Sequence, residues 1–427
     1  MSGRSYNPPR GMRDIVLGEA ETYEYVFNEF RRIALLHGFA PIITPTLEFF
    51  RLFAEKSGEE IKKSMYVFED KAGRLLALRP EVTASIVRVF LRKLRGEIRP
   101  IRLYYVSQCF RYEEPQRGRY REFWQGGLEV IGVQDISGDL EAAYTASRFL
   151  EAVGVRHTYI VGNVAFHRAI MDKFNVAEEV QEHVLHLLDK RMIDEAMKVL
   201  AGISGELVET YKSFISKKHS EIPSFIEEMK PFFGDKYDAL LSEAKRLSEF
   251  IDSLRELGYR AVYDPYLVRG LAYYTGLIYE YKAEEGGLEI SIGGGGRYDG
   301  LSTVYGGPFE YFTGLALGLD RVILVLEKKP RLVGSGIVVI GLKGVRLVDV
   351  LGVKRILEEY GLSSTVIYGK KISKALSIAD RKGYRFAVIV GRRELESGRV
   401  TLKDLRKGVQ ETVAIDVLPL YIYSVVN

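Results

Sequence analysis

What most constrains the fold of this chain is an interruption. From about residue 166 to residue 256 the sequence carries a charged amphipathic helix pattern, with few β-branched clusters and few turn signals apart from Gly202, Gly205 and Gly234. On both sides of that block the pattern is that of strands. FAPIITPTLEFF, whose Pro41 and Pro45 exclude a continuing helix and point to an edge or bulged strand, is followed by MYVFED, RLLALRP, RLYYVSQCFRYE and EFWQGGLEVIG. After the block, sheet pattern resumes at YRAVYDPYLVRGLAYYTG and runs on through LIYEYKA and LEISIGG. The first domain is therefore expected to be discontinuous, with residues 1–165, a helical insertion over 166–256, and a return over 257–328. A helix over residues 19–37 that stops at Gly38 opens it, and GLALGLDRVILVLEKK is expected to close it with a buried helix.

From Ile337 the pattern changes to alternating strand and helix: GIVVIGL, LVDVLGVKRILEEYG, STVIYG, KALSIADRKG and FAVIVG. This predicts a small α/β domain with a partly parallel sheet over residues 332–427, joined through a linker at Lys329 and Pro330. The fold class is thus α+β: an antiparallel sheet flanked by helices, a helical insertion and a C-terminal α/β domain. Charge follows the same division. Residues 331–427 hold 17 Lys and Arg against 9 Asp and Glu, and the rest of the chain holds 44 against 48. A basic module on a slightly acidic body suits contact with a polyanion.

Several function classes drop out. No run approaches the roughly 18 to 20 apolar residues of a membrane span, and MSGRSYNPPRGMRDI lacks the apolar segment of a secretory signal. A cytoplasmic location and no membrane partner are expected. One cysteine, Cys109, excludes intramolecular disulfides and Cys-rich zinc sites. His183 and His186 sit three apart in EEVQEHVLHLLDK without HExxH spacing, so no metal site is expected there.

Four segments concentrate chemistry. In FRYEEPQRGRYREFWQGGLEVIG, Arg111, Arg117, Arg119 and Arg121 flank a turn between two strands, either as a phosphate grip or as a solvated charged hairpin. LVRGLAYYTG sets Arg269 among apolar and aromatic residues, where it wants an anion or a structural carboxylate. ISIGGGGRYDGL has four consecutive glycines that let backbone approach a ligand closely or simply form a bulge. It matches neither GxGxxG nor a GK[ST] loop. LRPEVTASIVR puts Glu81 and Thr83 ahead of a helical run, where a carboxylate could meet an ammonium group.

Together these segments resemble a family. FRYEEPQRGRYREF is similar to the motif 2 hairpin of class II aminoacyl-tRNA synthetases, GLALGLDRVI to their motif 3, and GFAPIITPTLE to motif 1, the dimer-forming strand. LVRGLAYYTG and GGGGRYDGL resemble the two signature segments that single out histidyl-tRNA synthetases, and the likeness runs essentially end to end, including a C-terminal anticodon-binding domain. The resemblance implies that Glu81, Val82, Thr83 and Gln125 hold the amino-acid substrate, and that Glu129, Tyr273 and Tyr274 surround its imidazole. It further implies that Arg111, Glu113, Arg119, Phe123 and Arg321 bind ATP, with Phe123 and Arg321 on opposite faces of adenine. Arg111 and Arg269 would flank the reacting phosphorus as catalytic groups, Arg269 standing where other class II enzymes tend to place a metal. Magnesium would be held only through the ATP phosphates. The implied partners are L-histidine, ATP, tRNA(His) and a second copy of the chain. Ala272 and Trp124 depart from the common signature residues and are tolerated in archaeal-type members.

The rival from another class is a histidine-binding regulatory subunit of ATP phosphoribosyltransferase that charges no tRNA. It shares the fold, lacks an anticodon-binding module and tends to lose the signature residues kept here as Arg111, Arg269 and Arg321. A threonyl enzyme would use zinc, and a prolyl enzyme would lack LVRGLAYYTG.

Overall fold

The computed structural model describes residues 6–55, 59–268, 273–327 and 336–426, and the chain divides into two compact units, residues 1–329 and 330–427. The expected linker at Lys329 and Pro330 lies outside the described residues.

In chain order the strands of the first unit are β1 (Ala40–Pro41), β2 (Leu47–Phe49), β3 (Val67–Glu69), β4 (Leu75–Leu78), β5 (Ile101–Phe110), β6 (Glu122–Ile131), β7 (Thr158–Asn163), β8 (Arg260–Tyr263), β9 (Leu277–Glu285), β10 (Leu288–Arg297) and β11 (Phe312–Gly318). Eight of them form one sheet in the order β1-β5-β6-β11-β10-β9-β7-β8. Its six central strands are antiparallel, and β1 and β8 join the edges in parallel. Pro41 thus stands on an edge strand, where its missing N–H costs no ladder bond. A small second sheet runs β2-β4-β3.

The opening helix, Gly18–Leu36, buries Tyr23, Val26, Phe27, Phe30, Ile33 and Ala34, a stripe at three- and four-residue spacing. It lies on the sheet, and Gly126 of β6 makes the close approach possible, because a Cβ there would stand 3.0 Å from the Phe30 ring. Burying Phe30 fully contributes about 1.5–3 kcal/mol, and Phe30→Ala would cost about 3–5 kcal/mol through the cavity it leaves. The helix ends at Leu36, with Gly38 at φ 78°.

All elements between Val164 and Glu256 are helical, so the insertion opens slightly ahead of residue 166. Three features depart from the sequence reading. GLALGLDRVILVLEKK does not form one buried helix: its first part completes β11, and only Leu319–Leu324 is helical. The short-period alternation of Leu315 and Leu317 with Gly314, Ala316 and Gly318 belongs to a strand, and neighbouring apolar residues mask it. The helix Ser137–Ala152 and strand β7 went unread as well.

The second unit has strands β12 (Ile337–Gly341), β13 (Ser364–Tyr368), β14 (Phe386–Val390), β15 (Arg399–Asp404) and β16 (Gln410–Ala414) in the order β13-β12-β14-β15-β16. The first three pair in parallel, and β15 and β16 add antiparallel strands. Val339 packs on one face with Val350 and Leu418, while Val338 and Ile340 pack on the other with Ala375 and Ala379. Burial on both faces is why β12 reads as an unbroken apolar run. Among the described residues no helix is long and apolar enough to cross a membrane.

Candidate active site

Side chains two apart on a strand share a face, so Phe123, Gln125, Gly127 and Glu129 of β6 point the same way. At about 3.3 Å per residue the row from Phe123 to Glu129 spans roughly 20 Å. Opposite Gln125, Gly127 and Glu129 the neighbouring β11 sets Gly318, Ala316 and Gly314, and β10 sets Gly294 opposite Ala316. Small residues on adjacent strands leave a trough over the sheet, part of a cavity of about 900 Å³. The four-glycine run contributes in two ways. Gly293 and Gly294 line the cavity, and a Cβ at Gly293 or Gly295 would strike the backbone of β11 at 2.5 Å or 2.1 Å. The ladder also shifts register between Ser291 and Gly293, so a bulge and a glycine floor coexist.

Glu81, Thr83, Arg111, Glu113, Arg119, Phe123, Gln125, Tyr273, Tyr274 and Arg321 all line this cavity. Glu81 precedes the helix Thr83–Val89, and its carboxylate accepts the Ala84 N–H at 3.1 Å, as a side chain at a helix start does. Burial raises its pKa, opposed by those backbone donors and by the Arg111 charge. Val82 is in the hydrophobic core and does not line the cavity, so the structure does not bring it together with the other expected substrate residues.

Glu129 lies buried behind the lining residues. The Thr83 hydroxyl donates to its Oε1 at 3.0 Å and the Tyr298 hydroxyl donates to its other oxygen. Burial pushes this carboxyl up to about 8, against the pull of those two hydrogen bonds, and the neighbouring Glu81 charge adds to the rise. Its room comes from Gly314, where a Cβ would fall 1.9 Å from Glu129 Oε2. The Tyr273 ring lies 5.0 Å from that of Tyr274 and 5.6 Å from that of Tyr298.

The arginines of the β5–β6 hairpin separate into different roles. Arg111 Nε donates to Pro80 O at 3.0 Å, and its guanidinium sits 5.4 Å from the Phe123 ring centre. Arg119 is half exposed, 3.8 Å from Glu113. Arg121 turns into the wall instead: it is buried, donates to Glu113 O at 3.0 Å and stacks on Tyr112. Arg117 is exposed and does not line the cavity. Arg321 is held by two carbonyls, Gly118 O at 3.2 Å and Ser291 O at 2.7 Å. Burial, then the charge of Arg119, lowers its pKa.

Arg269 lies outside the described residues. His183 is exposed and His186 half-buried on the helix Glu178–Asp189. The buried Cys109 thiol is pushed up to about 12 by desolvation and donates to Gln125 Oε1 at 3.2 Å, so it steadies that amide. Arg297 of the glycine-rich segment is fully buried and donates to the carbonyls of Val133, Gln134 and Asp135, which is a structural role.

Sequence reasoning missed Tyr298, Gly314 and Asp320. Asp320 accepts the Tyr23 hydroxyl at 2.6 Å, Arg13 at 2.8 Å and the Trp124 N–H at 2.6 Å. It thereby ties the element carrying Arg321 to β6 and the opening helix. Its position immediately before Arg321 was the available signal.

A family model described as Histidyl-tRNA synthetase matches residues 11–322, and one described as Anticodon binding domain matches residues 337–423. The histidine–tRNA ligase of Sulfurisphaera tokodaii is 38% identical over 438 residues, covering 99% of this chain and 100% of that protein. Among solved structures, the histidyl-tRNA synthetase of Nostoc sp. PCC 7120 aligns with a TM-score of 0.76 at 22% identity, covering 99% of this chain and 100% of the other. A Bacillus halodurans structure described as an ATP phosphoribosyltransferase regulatory subunit/histidyl-tRNA synthetase aligns at 0.74 and 21% identity, covering 90% and 98%. At those identities the two structures speak for the fold alone.

Proposed function

The chain belongs to the histidyl-tRNA synthetase family, and from that premise we propose how its cavity serves a histidine–tRNA ligase. The observation that carries the reading is the common wall. Along one face of β6 and its neighbours, a buried carboxylate with two hydroxyl donors lies at the Glu129 end of the row, and Phe123 lies at the other. Arg111, Arg119 and Arg321 line the same cavity. A row of roughly 20 Å suits an aminoacyl nucleotide held in extended form.

In this reading Glu81, with Thr83 and Gln125, receives the α-amino group of histidine, and Glu129 with Tyr273 and Tyr274 reads the imidazole. A side chain without matching polar atoms would cover the remaining hydrogen-bonding capacity of the buried Glu129 carboxyl with apolar surface, which is a basis for rejection. Arg111 meets the α-phosphate, Arg119 and Glu113 meet the outer part of ATP, and Phe123 and Arg321 enclose adenine. A carboxylate oxygen of histidine attacks the α-phosphorus, the bond to the β-phosphate oxygen breaks, and pyrophosphate leaves. A hydroxyl of the tRNA 3′-terminal ribose then attacks the carbonyl carbon and AMP departs. The chemistry needs charge compensation at the phosphorus, and arginines fixed beforehand by carbonyls such as Pro80 O supply it without reorganising. Arg269 is proposed as the second such group. The described residues contain no group of three or more His, Cys, Asp and Glu able to hold a metal. A magnesium ion is proposed to enter bound to the ATP phosphates.

The second unit supports tRNA contact through exposed Lys370, Lys371, Lys374, Arg381 and Lys382. A homodimer is supported by the small sheet, where Leu47, Phe49, Phe68 and Leu75 remain more than two-fifths exposed. The non-charging regulatory reading is weaker, because the curated relative is a ligase and the anticodon-binding module is present. The test is ATP–pyrophosphate exchange with each amino acid in turn. Exchange with histidine alone is expected, and exchange with a different amino acid would overturn the pocket assignment.

A further inference from the structure

We propose that Arg191, in the helical insertion, is a positioning residue for histidine activation. It holds Asp264 and, through Asp264, the cavity wall at residues 266–268. The proposal rests on the activation reading above.

The first observation is a residue out of place. The helix Glu178–Asp189 closes with Arg191 N donating to Leu188 O and Met192 N to Leu187 O, both at 2.9 Å, which leaves Arg191 at φ 60°. This left-handed position after a helix cap favours glycine, because a Cβ crowds the following carbonyl. Elsewhere the chain obeys that preference: the equivalent left-handed closures among the described residues are Gly38, Gly154, Gly258, Gly306, Gly361, Gly383 and Gly398, with Asn175 as the tolerated exception. An arginine there is explained by its side chain, since an outlier of this kind points to a role the backbone does not supply.

The side chain reaches across from the insertion to the catalytic half, where its guanidinium pairs with the Asp264 carboxylate. Asp264 is a hub for a short stretch of wall. Its Oδ1 accepts the Tyr266 N–H at 2.9 Å, its carbonyl accepts the Leu267 N–H at 3.1 Å, and its own N–H donates to Val161 O of β7 at 2.9 Å. Gly162 lets that stretch lie against the strand, since a Cβ there would stand 2.8 Å from Leu267 O and 3.2 Å from Asp264 O. Tyr266, Leu267 and Val268 line the cavity, and so does Arg191. They lead directly into the segment that carries Arg269 and Tyr273. The insertion thus reaches this wall through an ion pair, beside the buried His167 whose ring faces the Pro265 backbone, and loss of the pair is expected to loosen the wall enough to misplace reacting groups.

The experiment is histidine-dependent ATP–pyrophosphate exchange by the full-length protein and four variants: Arg191→Gly, Arg191→Lys, Asp264→Asn, and Arg191→Gly combined with Asp264→Asn. Arg191→Gly suits the left-handed turn, so its melting temperature should match or exceed that of the parent while the ion pair is gone. The expected result is a fall in kcat of about 10- to 100-fold in Arg191→Gly and in Asp264→Asn, with little change in the KM for ATP. The double variant should be no worse than the poorer single, and Arg191→Lys should recover part of the loss. Unchanged kcat in Arg191→Gly would overturn the proposal. So would a raised KM for ATP in Arg191→Gly that Asp264→Asn does not share, because Arg191 would then be gripping phosphate directly. A parent protein without histidine-dependent exchange would instead sink the activation reading, and the proposal with it.

Discussion

Glu129 carries the sharpest residue-level consequences. Its carboxyl stands at about 8 in the folded protein, whereas an unfolded chain holds glutamate near 4.3. Between those values the folded state keeps a proton that the unfolded state has released. The stability this contributes is therefore complete below the ordinary glutamate range and is lost as pH rises through about 8. Glu129→Gln cannot lose a proton, so the melting-temperature difference between variant and parent should move in favour of the variant from about pH 5 to about pH 8. A difference that stays constant would refute the assignment. At fixed pH the same variant should raise the KM for histidine by roughly 10- to 100-fold, through the altered hydrogen bonding of the pocket. Gly314→Ala tests the neighbouring void. Its methyl would fall 1.9 Å from Glu129 Oε2 and 2.7 Å from Leu128 O, so the carboxylate must move. We expect a destabilisation of about 1–3 kcal/mol and a higher KM for histidine with little change for ATP, and equal KM values in parent and variant would contradict the packing. Glu129 was named by the family resemblance. Gly314 was not, because its reason is a side chain on another strand, and no local pattern encodes that distance.

The β5–β6 hairpin shows, at the scale of an element, how far local sequence reaches. Strand, turn and strand were readable from alternating apolar residues around PQRG, and the concentration of arginine was readable as a phosphate grip. Which arginines face the cavity was not. Arg121 is drawn into the wall because Gly11, far away in sequence, donates no side chain and accepts the Arg121 N–H at 2.8 Å. The structure therefore distinguishes residues that composition treats alike. Arg111→Ala should lower the rate of adenylate formation by about 100- to 1,000-fold while leaving histidine binding nearly intact, as measured by exchange kinetics and by calorimetry. Arg117→Ala should change neither, and a comparable loss in both variants would contradict the separation. The other misreading, GLALG as helix, came from judging the segment by its total apolarity when its period of two was the informative property.

At the scale of the whole molecule, the proposed function divides the labour between the two units. The alternation that predicted the second unit was legible because β12 and β14 are buried along their whole length and each crossover helix is short and amphipathic. The discontinuity of the first unit was legible because 166–256 carries helical pattern throughout. What pattern could not supply was strand order, which brings β11 between β6 and β10 and so assembles the trough. Removing residues 330–427 should reduce tRNA charging far more than histidine activation, and parallel losses would contradict the division. Phe49→Asp with Leu75→Asp, on the exposed small sheet, should yield a monomer by light scattering. A dimer of unchanged mass would place the interface elsewhere.

The most direct test of the central claim is esterification of tRNA by the purified full-length protein, with labelled histidine, ATP and tRNA(His). The account predicts label on the tRNA that depends on ATP and disappears under mild base, together with strong loss of label in Arg111→Ala. Histidine that binds the protein and never appears on tRNA would contradict it, and would return the chain to the non-charging regulatory reading.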